Sequence, residues 1–198
     1  MELNMPLSSL PQFSRRDLLS KGSKLSVASF ALLSGLSVKA LAEESRKVSP
    51  QDIDVLNEIL GTEHEGIAAY QICFDDRILR KATAQTAHIF QNHHKTHRDI
   101  LIEKIKTLGG TPAAAKTTKE YKIDLDIAGL KAQEDALHLL VKLELGAANG
   151  YIGMLPSTND HELAKTAGRI AADEVIHWTT WAAHLGVPLP THALSFGA

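Results

Sequence analysis

Six ionisable residues stand where apolar ones belong. Glu63, His94, His97, Glu144, Glu174 and His177 each interrupt a run of apolar residues spaced for one face of a helix. A carboxylate buried alone is costly, so it must find a proton, a counter-ion or a metal. Six such groups converging on cations would satisfy one another. Glu174 and His177, at i and i+3, share a helix face and can serve one site together, and His94 and His97 have the same spacing. Mixed imidazole and carboxylate donors suit iron or manganese, one ion or two, and zinc or copper would also bind by affinity order.

The elements that must position these groups can be read from the same stripes. Ser49-Pro50-Gln51-Asp52 is a helix start, with Ser as cap, Pro in the first turn and Asp against the dipole. Leu56, Leu60, Glu63, Ile67, Tyr70 and Phe74 follow on one face. After a turn over 75–81, Phe90, His94, His97, Leu101, Ile105 and Leu108 form the second stripe, which Gly109-Gly110-Thr111-Pro112 stops. Residues 109–126 show no helical pattern and read as a long connection. Leu130, Leu137, Leu140, Glu144, Ala147, Tyr151 and Leu155 mark a third helix, and Pro156–Asp160 a turn. Leu163, Ala167, Ile170, Glu174, His177, Trp181 and His184 mark a fourth, ended by Gly186-Val187-Pro188. Two short turns and one long crossover predict an all-α four-helix bundle of the crossover type, not a simple up-down one.

The two halves repeat. Tyr70 follows Glu63 by seven residues and Tyr151 follows Glu144 by seven, while Glu63 to His94 spans 31 residues and Glu144 to Glu174 spans 30. Each helical hairpin therefore looks like half a site. The tyrosine hydroxyls, two turns from the carboxylates, either support them or belong to ordinary core aromatics, and the latter is the simpler reading.

A single Glu from each of two helices, with Glu-x-x-His from each of the other two, is the pattern of ferritin-like dimetal carboxylate proteins. Over residues 50–186 the chain resembles that superfamily: Glu63 and Glu144 match the single glutamates and Glu174-x-x-His177 matches the motif in full. The second helix departs from it, carrying His94-Lys95-Thr96-His97 with His in place of Glu, so one bridging carboxylate is missing. The resemblance implies a metal centre that reacts with peroxide or oxygen, as in relatives of rubrerythrins and manganese catalases, or that oxidises ferrous iron. Oxygen-dependent oxidation of an organic substrate is a third option. Exported and desiccation-related members imply a role in stress defence. The chain would then be a metal-dependent oxidoreductase of peroxidase, catalase or ferroxidase type. The alternative is a noncatalytic bundle that holds metal structurally, buffers it, or acts as a partner module.

The remaining candidates rank lower. A modest rotation of the second helix would pair His93 with His97 in place of His94. His64, His88, His138, His161 and His192 read as surface or turn residues, and His184 as a bundle-end residue or access marker. Glu58, Glu65, Glu103 and Glu134 fit exposed faces, with Glu65 able to support a ligand. Cys73 reads as a small buried hydrophobe, and a lone cysteine excludes both an internal disulfide and a rubredoxin-like iron centre, which needs four cysteines.

Ser14-Arg15-Arg16-Asp17-Leu18-Leu19, an uncharged stretch from Leu25 to Val38 and Ala40-Leu41-Ala42 together read as an export signal over residues 1–42, with paired arginines resembling the twin-arginine type. An amphipathic leader or uncleaved anchor is the other reading. The expected product is a periplasmic or otherwise exported bundle of residues 43–198, with no membrane attachment once the signal is cleaved. The 198-residue chain is 44% hydrophobic and has a net charge of −2. The first 42 residues carry five basic and two acidic groups, so the remainder stands at −5 and offers no field for nucleic acid. Expected partners are metal ions and small oxidants, with a homo-oligomer allowed.

Overall fold

Four long helices follow the four stripes. The structure is a computed structural model and describes residues 50–158 and 160–197; the expected export signal over 1–42, the expected Ser49 cap and Asn159 of the expected turn lie outside them. Helix α1 spans Pro50–Asp75 and α2 spans Lys81–Thr107, joined by a tight turn at the predicted place. Helix α4 spans Gln133–Met154 and α5 spans His161–His184. The α4–α5 connection is a 3-10 turn, Leu155–Ser157, followed by Asp160, whose carboxylate caps α5 by accepting from the Glu162 and Leu163 amides. There is no strand among the described residues, and no described helix is long and apolar enough to cross a membrane.

The crossover differs from the sequence expectation. It contains a seven-residue helix, α3, Thr118–Asp124, and a 3-10 turn, Ile127–Gly129. A reciprocal capping box starts α3: the Thr117 hydroxyl accepts from the Glu120 amide, and the Glu120 carboxylate accepts from the Thr117 amide. Seven residues, about two turns, are too few to show a hydrophobic period, which is why the stretch reads as structureless. Leu130 likewise precedes α4 instead of starting it. The first part of the crossover is pinned to α1, where Asn57 bonds both the Thr111 carbonyl and the Ala113 amide and His64 meets the Ala113 carbonyl.

Apolar packing is divided into two layers. Toward one end, Leu56, Leu60, Leu101, Ile105, Met154, Leu163 and Ile170 form a cluster; toward the other, Ile72, Phe90, Tyr121, Leu125, Leu137, Leu140 and Trp181 form a second. Tyr121 and Leu125 of the crossover belong to the second layer, so α3 is anchored by burial as well as by its cap. The stripe positions between the layers are the ionisable ones.

Candidate metal centre

All six sequence-predicted ligands meet in the gap between the layers, each no more than 3% exposed. α1 supplies Glu63, α2 supplies His94 and His97, α4 supplies Glu144, and α5 supplies Glu174 and His177. His94 is the central group. Its Nδ1 lies 2.8 Å from Glu63 Oε2 and its Nε2 3.3 Å from Glu144 Oε1. His97 Nδ1 stands 2.9 Å from Glu174 Oε1, and His177 Nδ1 stands 3.3 Å from oxygens of both Glu144 and Glu174. The donor atoms fall into two overlapping groups, Glu63–His94–His97–Glu174 and His94–Glu144–Glu174–His177, within each of which they lie inside 4.8 Å of one another.

The glycine at position 66 admits this arrangement. A Cβ there would stand 3.2 Å from the His94 ring, inside comfortable packing distance, so α1 must be bare at that point for the imidazole to lie between the two glutamates.

Each outer group has a buried or half-buried partner. Tyr151 donates its hydroxyl to Glu63 Oε1 at 2.5 Å, and Tyr70 donates a short hydrogen bond to Glu144 Oε1. Trp181 Nε1 donates in turn to the Tyr70 oxygen at 2.7 Å. The reading of both tyrosines as ordinary core aromatics is thus corrected. They lie in the core, but their hydroxyls serve site carboxylates. His97 Nε2 lies 3.3 Å from Asp173 Oδ2, and His177 Nε2 lies 3.0 Å from His93 Nδ1. Such partners fix which imidazole nitrogen faces the site. Sequence reasoning missed Asp173, which sits beside the α5 stripe and next to Glu174 in the chain. It named His93 as a substitute for His94; the structure puts His94 among the carboxylates and His93 behind His177.

The other histidines stand apart. His88 is exposed and stacks on Phe74, and His184, the last residue of α5, is exposed and turned to the Thr180 carbonyl of its own helix. His138, His161 and His192 are exposed, while His64 is half-buried against the crossover. Glu58, Glu103 and Glu134 are exposed, and Glu65 half-buried. Cys73 is a buried free thiol, and burial raises its pKa to about 11.

Protonation follows the packing. Burial alone would raise the Glu63 carboxyl, but the hydrogen bond from His94 and the nearby charges of His94 and His97 hold it at about 2. Burial opposes ionisation of Glu144 too, and the His94 charge with bonds from His177 and His94 outweighs it, leaving this carboxyl well below its ordinary range. Glu174 goes the other way, since burial wins over its two imidazole neighbours and its pKa rises. Burial disfavours each imidazolium, yet Glu144 and Glu63 raise His94, Glu174 and Glu63 bring His97 to about 9, and Glu144 and Glu174 raise His177. Burial and the adjacent carboxylates push both tyrosines well above 10, so they remain donors.

The site residues fit a metal. Both Glu174 oxygens and His97 Nδ1 are buried and lack a well-directed hydrogen bond; they are held only by ion-pair contacts, 2.9 Å between His97 Nδ1 and Glu174 Oε1 and 3.3 Å between His177 Nδ1 and Glu174 Oε2. Three buried donor atoms with no directed hydrogen bond, set among carboxylates and imidazoles, have the chemistry to hold a cation.

The model of the ferritin-like domain matches residues 51–187, from the first turn of α1 to just past α5. The chain belongs to the ferritin-like domain family. Among solved structures the ferritin-like fold recurs in a conserved hypothetical protein from Mycobacterium tuberculosis, at 20% identity and a TM-score of 0.59, covering 71% of this chain and 94% of that one. That likeness concerns the fold. A search of curated proteins found none that matches. Within the ferritin-like fold this chain keeps a buried His/Glu cluster able to hold a metal ion.

Proposed function

We propose that this ferritin-like protein binds one or two transition-metal ions, iron or manganese by preference, on Glu63, His94, His97, Glu144, Glu174 and His177, and uses them on peroxide or oxygen or to oxidise ferrous iron. The observation that carries the reading is the convergence of six buried carboxylates and imidazoles in two overlapping groups whose donor atoms lie within 4.8 Å of one another, with Glu174 and His97 Nδ1 held there only by ion-pair contacts. The metal supplies the electron transfer when bound. The chain's own residues do the rest: Tyr70 and Tyr151 orient Glu144 and Glu63, Asp173 and His93 orient His97 and His177, and the two apolar layers exclude bulk water and lower the local dielectric. Export by the twin-arginine route, with loading in the cytoplasm before transport, and a role in stress defence are parts of the same proposal.

The second reading, a noncatalytic metal-holding bundle, is favoured by His94. With both its nitrogens turned to glutamates, it stands where the family carries a carboxylate that could bridge two ions.

Metal analysis of the purified protein tests the first claim. Wild type should retain iron or manganese, and His97→Ala and Glu174→Ala should lose it; equal and negligible metal in all three would end the proposal. Peroxide consumption and ferrous oxidation by the loaded protein then separate the two readings. Turnover lost in Glu144→Ala supports the enzyme, and bound metal with no turnover supports the holder.

A further inference from the structure

The six ligands are closed off from solvent, yet the four helices are not sealed equally. Between α2 and α5 a pocket of about 180 Å³ is lined by His93, Thr96, His97, Ile100, Thr166, Arg169, Ile170 and Asp173. His97, one of the six, itself forms part of the wall. The groups flanking His97 there are the outer partners of the ligand imidazoles: Asp173, whose side chain is 46% exposed, and His93, half-buried. A neighbouring cavity, of similar volume, shares Ile100, Thr166 and Ile170 and is lined also by Tyr151 and Met154, with Lys104 and Glu162 as its charged groups.

We propose that the pocket between α2 and α5 is the port by which a divalent cation reaches the buried cluster, with Asp173 and His93 receiving it. The inference rests on the metal-binding reading above. Three features carry it. The pocket has a ligand in its wall, His97, whose inward nitrogen lies behind the ring, so a turn of one imidazole side chain connects the pocket to the cluster. Its wall presents a carboxylate and two imidazoles, the donors that replace a cation's water, whereas the neighbouring cavity has no imidazole and its one carboxylate, Glu162, shares the wall with the Lys104 cation. Asp173 and His93 each already hold the outer nitrogen of a ligand, so an ion arriving on them is one side chain from its destination.

The charges around the pocket make the proposal directional. Asp173 attracts a cation and Arg169, exposed and one helical turn earlier on the same face of α5, repels it. Removing one should therefore slow loading and removing the other should speed it. A steric plug at Thr166, a half-buried wall residue outside the cluster, should slow it most.

The test is the rate at which metal-free protein takes up cobalt(II), followed by its visible absorption in stopped flow at low ionic strength, with equilibrium content measured separately. Thr166→Trp should load at least about tenfold more slowly, Asp173→Asn about three- to tenfold more slowly, and Arg169→Ala about two- to threefold faster, with the two charge effects shrinking in salt. Asn at 173 keeps an oxygen for His97, and the part of its effect that salt abolishes reports charge, the remainder ligand support. Circular dichroism confirms that each variant folds, and Thr96→Trp replaces Thr166→Trp should the latter not. These rates, with final cobalt content equal to wild type in Thr166→Trp and Arg169→Ala, support the port. Folded Thr166→Trp and Thr96→Trp proteins that fill at the wild-type rate, or Asp173→Asn and Arg169→Ala shifting it in the same direction, overturn it. Wild type that ends with no cobalt overturns the metal reading as well, and so the two failures are told apart.

Discussion

Tyr70 of α1 donates its hydroxyl to Glu144 of α4, while Tyr151 of α4 donates to Glu63 of α1. Each tyrosine thus serves the carboxylate of the opposite hairpin, not the one seven residues before it in its own helix. The exchange binds the two sequence repeats into one centre, because each glutamate takes its hydroxyl from the other half.

Tyr70→Phe and Tyr151→Phe should each leave a buried carboxylate one donor short. Hydrogen bonds to charged groups contribute about 1.5–3 kcal/mol, so each variant should lose stability of that order in the metal-free state. Loss of a partner behind a ligand weakens metal binding about 10- to 100-fold. Denaturant unfolding in chelator and calorimetric titration with metal check the two halves. Both variants matching wild type in both measurements would mean that the hydroxyls support nothing.

Metal-free protein should have a stability profile set by the cluster. The His97 pKa rises from 6.5 to about 9, so its contribution is full below pH 6.5 and is lost as pH climbs through 9. The Glu63 pKa falls from 4.5 to about 2, so its contribution is full above pH 4.5 and is lost as pH falls through 2. The two windows overlap between pH 4.5 and 6.5, where melting temperature should peak. Bound metal needs neutral imidazoles and should move the optimum upward. Calorimetric scans across pH, with and without chelator, read both; identical profiles would contradict the assignment.

Gly66→Ala separates folding from function. Alanine in a helix interior is favoured over glycine by about 0.5–1 kcal/mol, but the new methyl would press on His94. The expected variant unfolds at a temperature near that of wild type, yet binds metal several-fold more weakly, as thermal melts and metal titration would show. Unchanged affinity would mean the ring has room to yield.

Much of this arrangement was legible in the chain because a 3.6-residue period marks both a helix and the side it buries. Glu63, Glu144 and Glu174 stand out on their stripes as charges no apolar core would keep, and the same stripes give the four long helices. The crossed tyrosines were not legible, since spacing within α1 and α4 says which residues share a face but not which partner across the bundle a hydroxyl meets. Asp173 is invisible for the same reason: its role depends on α2 lying alongside. Helix α3 could have been found locally, from the capping box of Thr117 and Glu120, but a period search passes over seven residues.

His94 and Glu174 belong to both ligand groups. The two halves of the cage therefore cannot be filled as independent compartments. A first ion that draws on either residue alters what is left for a second, so occupancy should be coupled: the second binding step differs in strength from the first, and a change at His94 or Glu174 should disturb both steps at once.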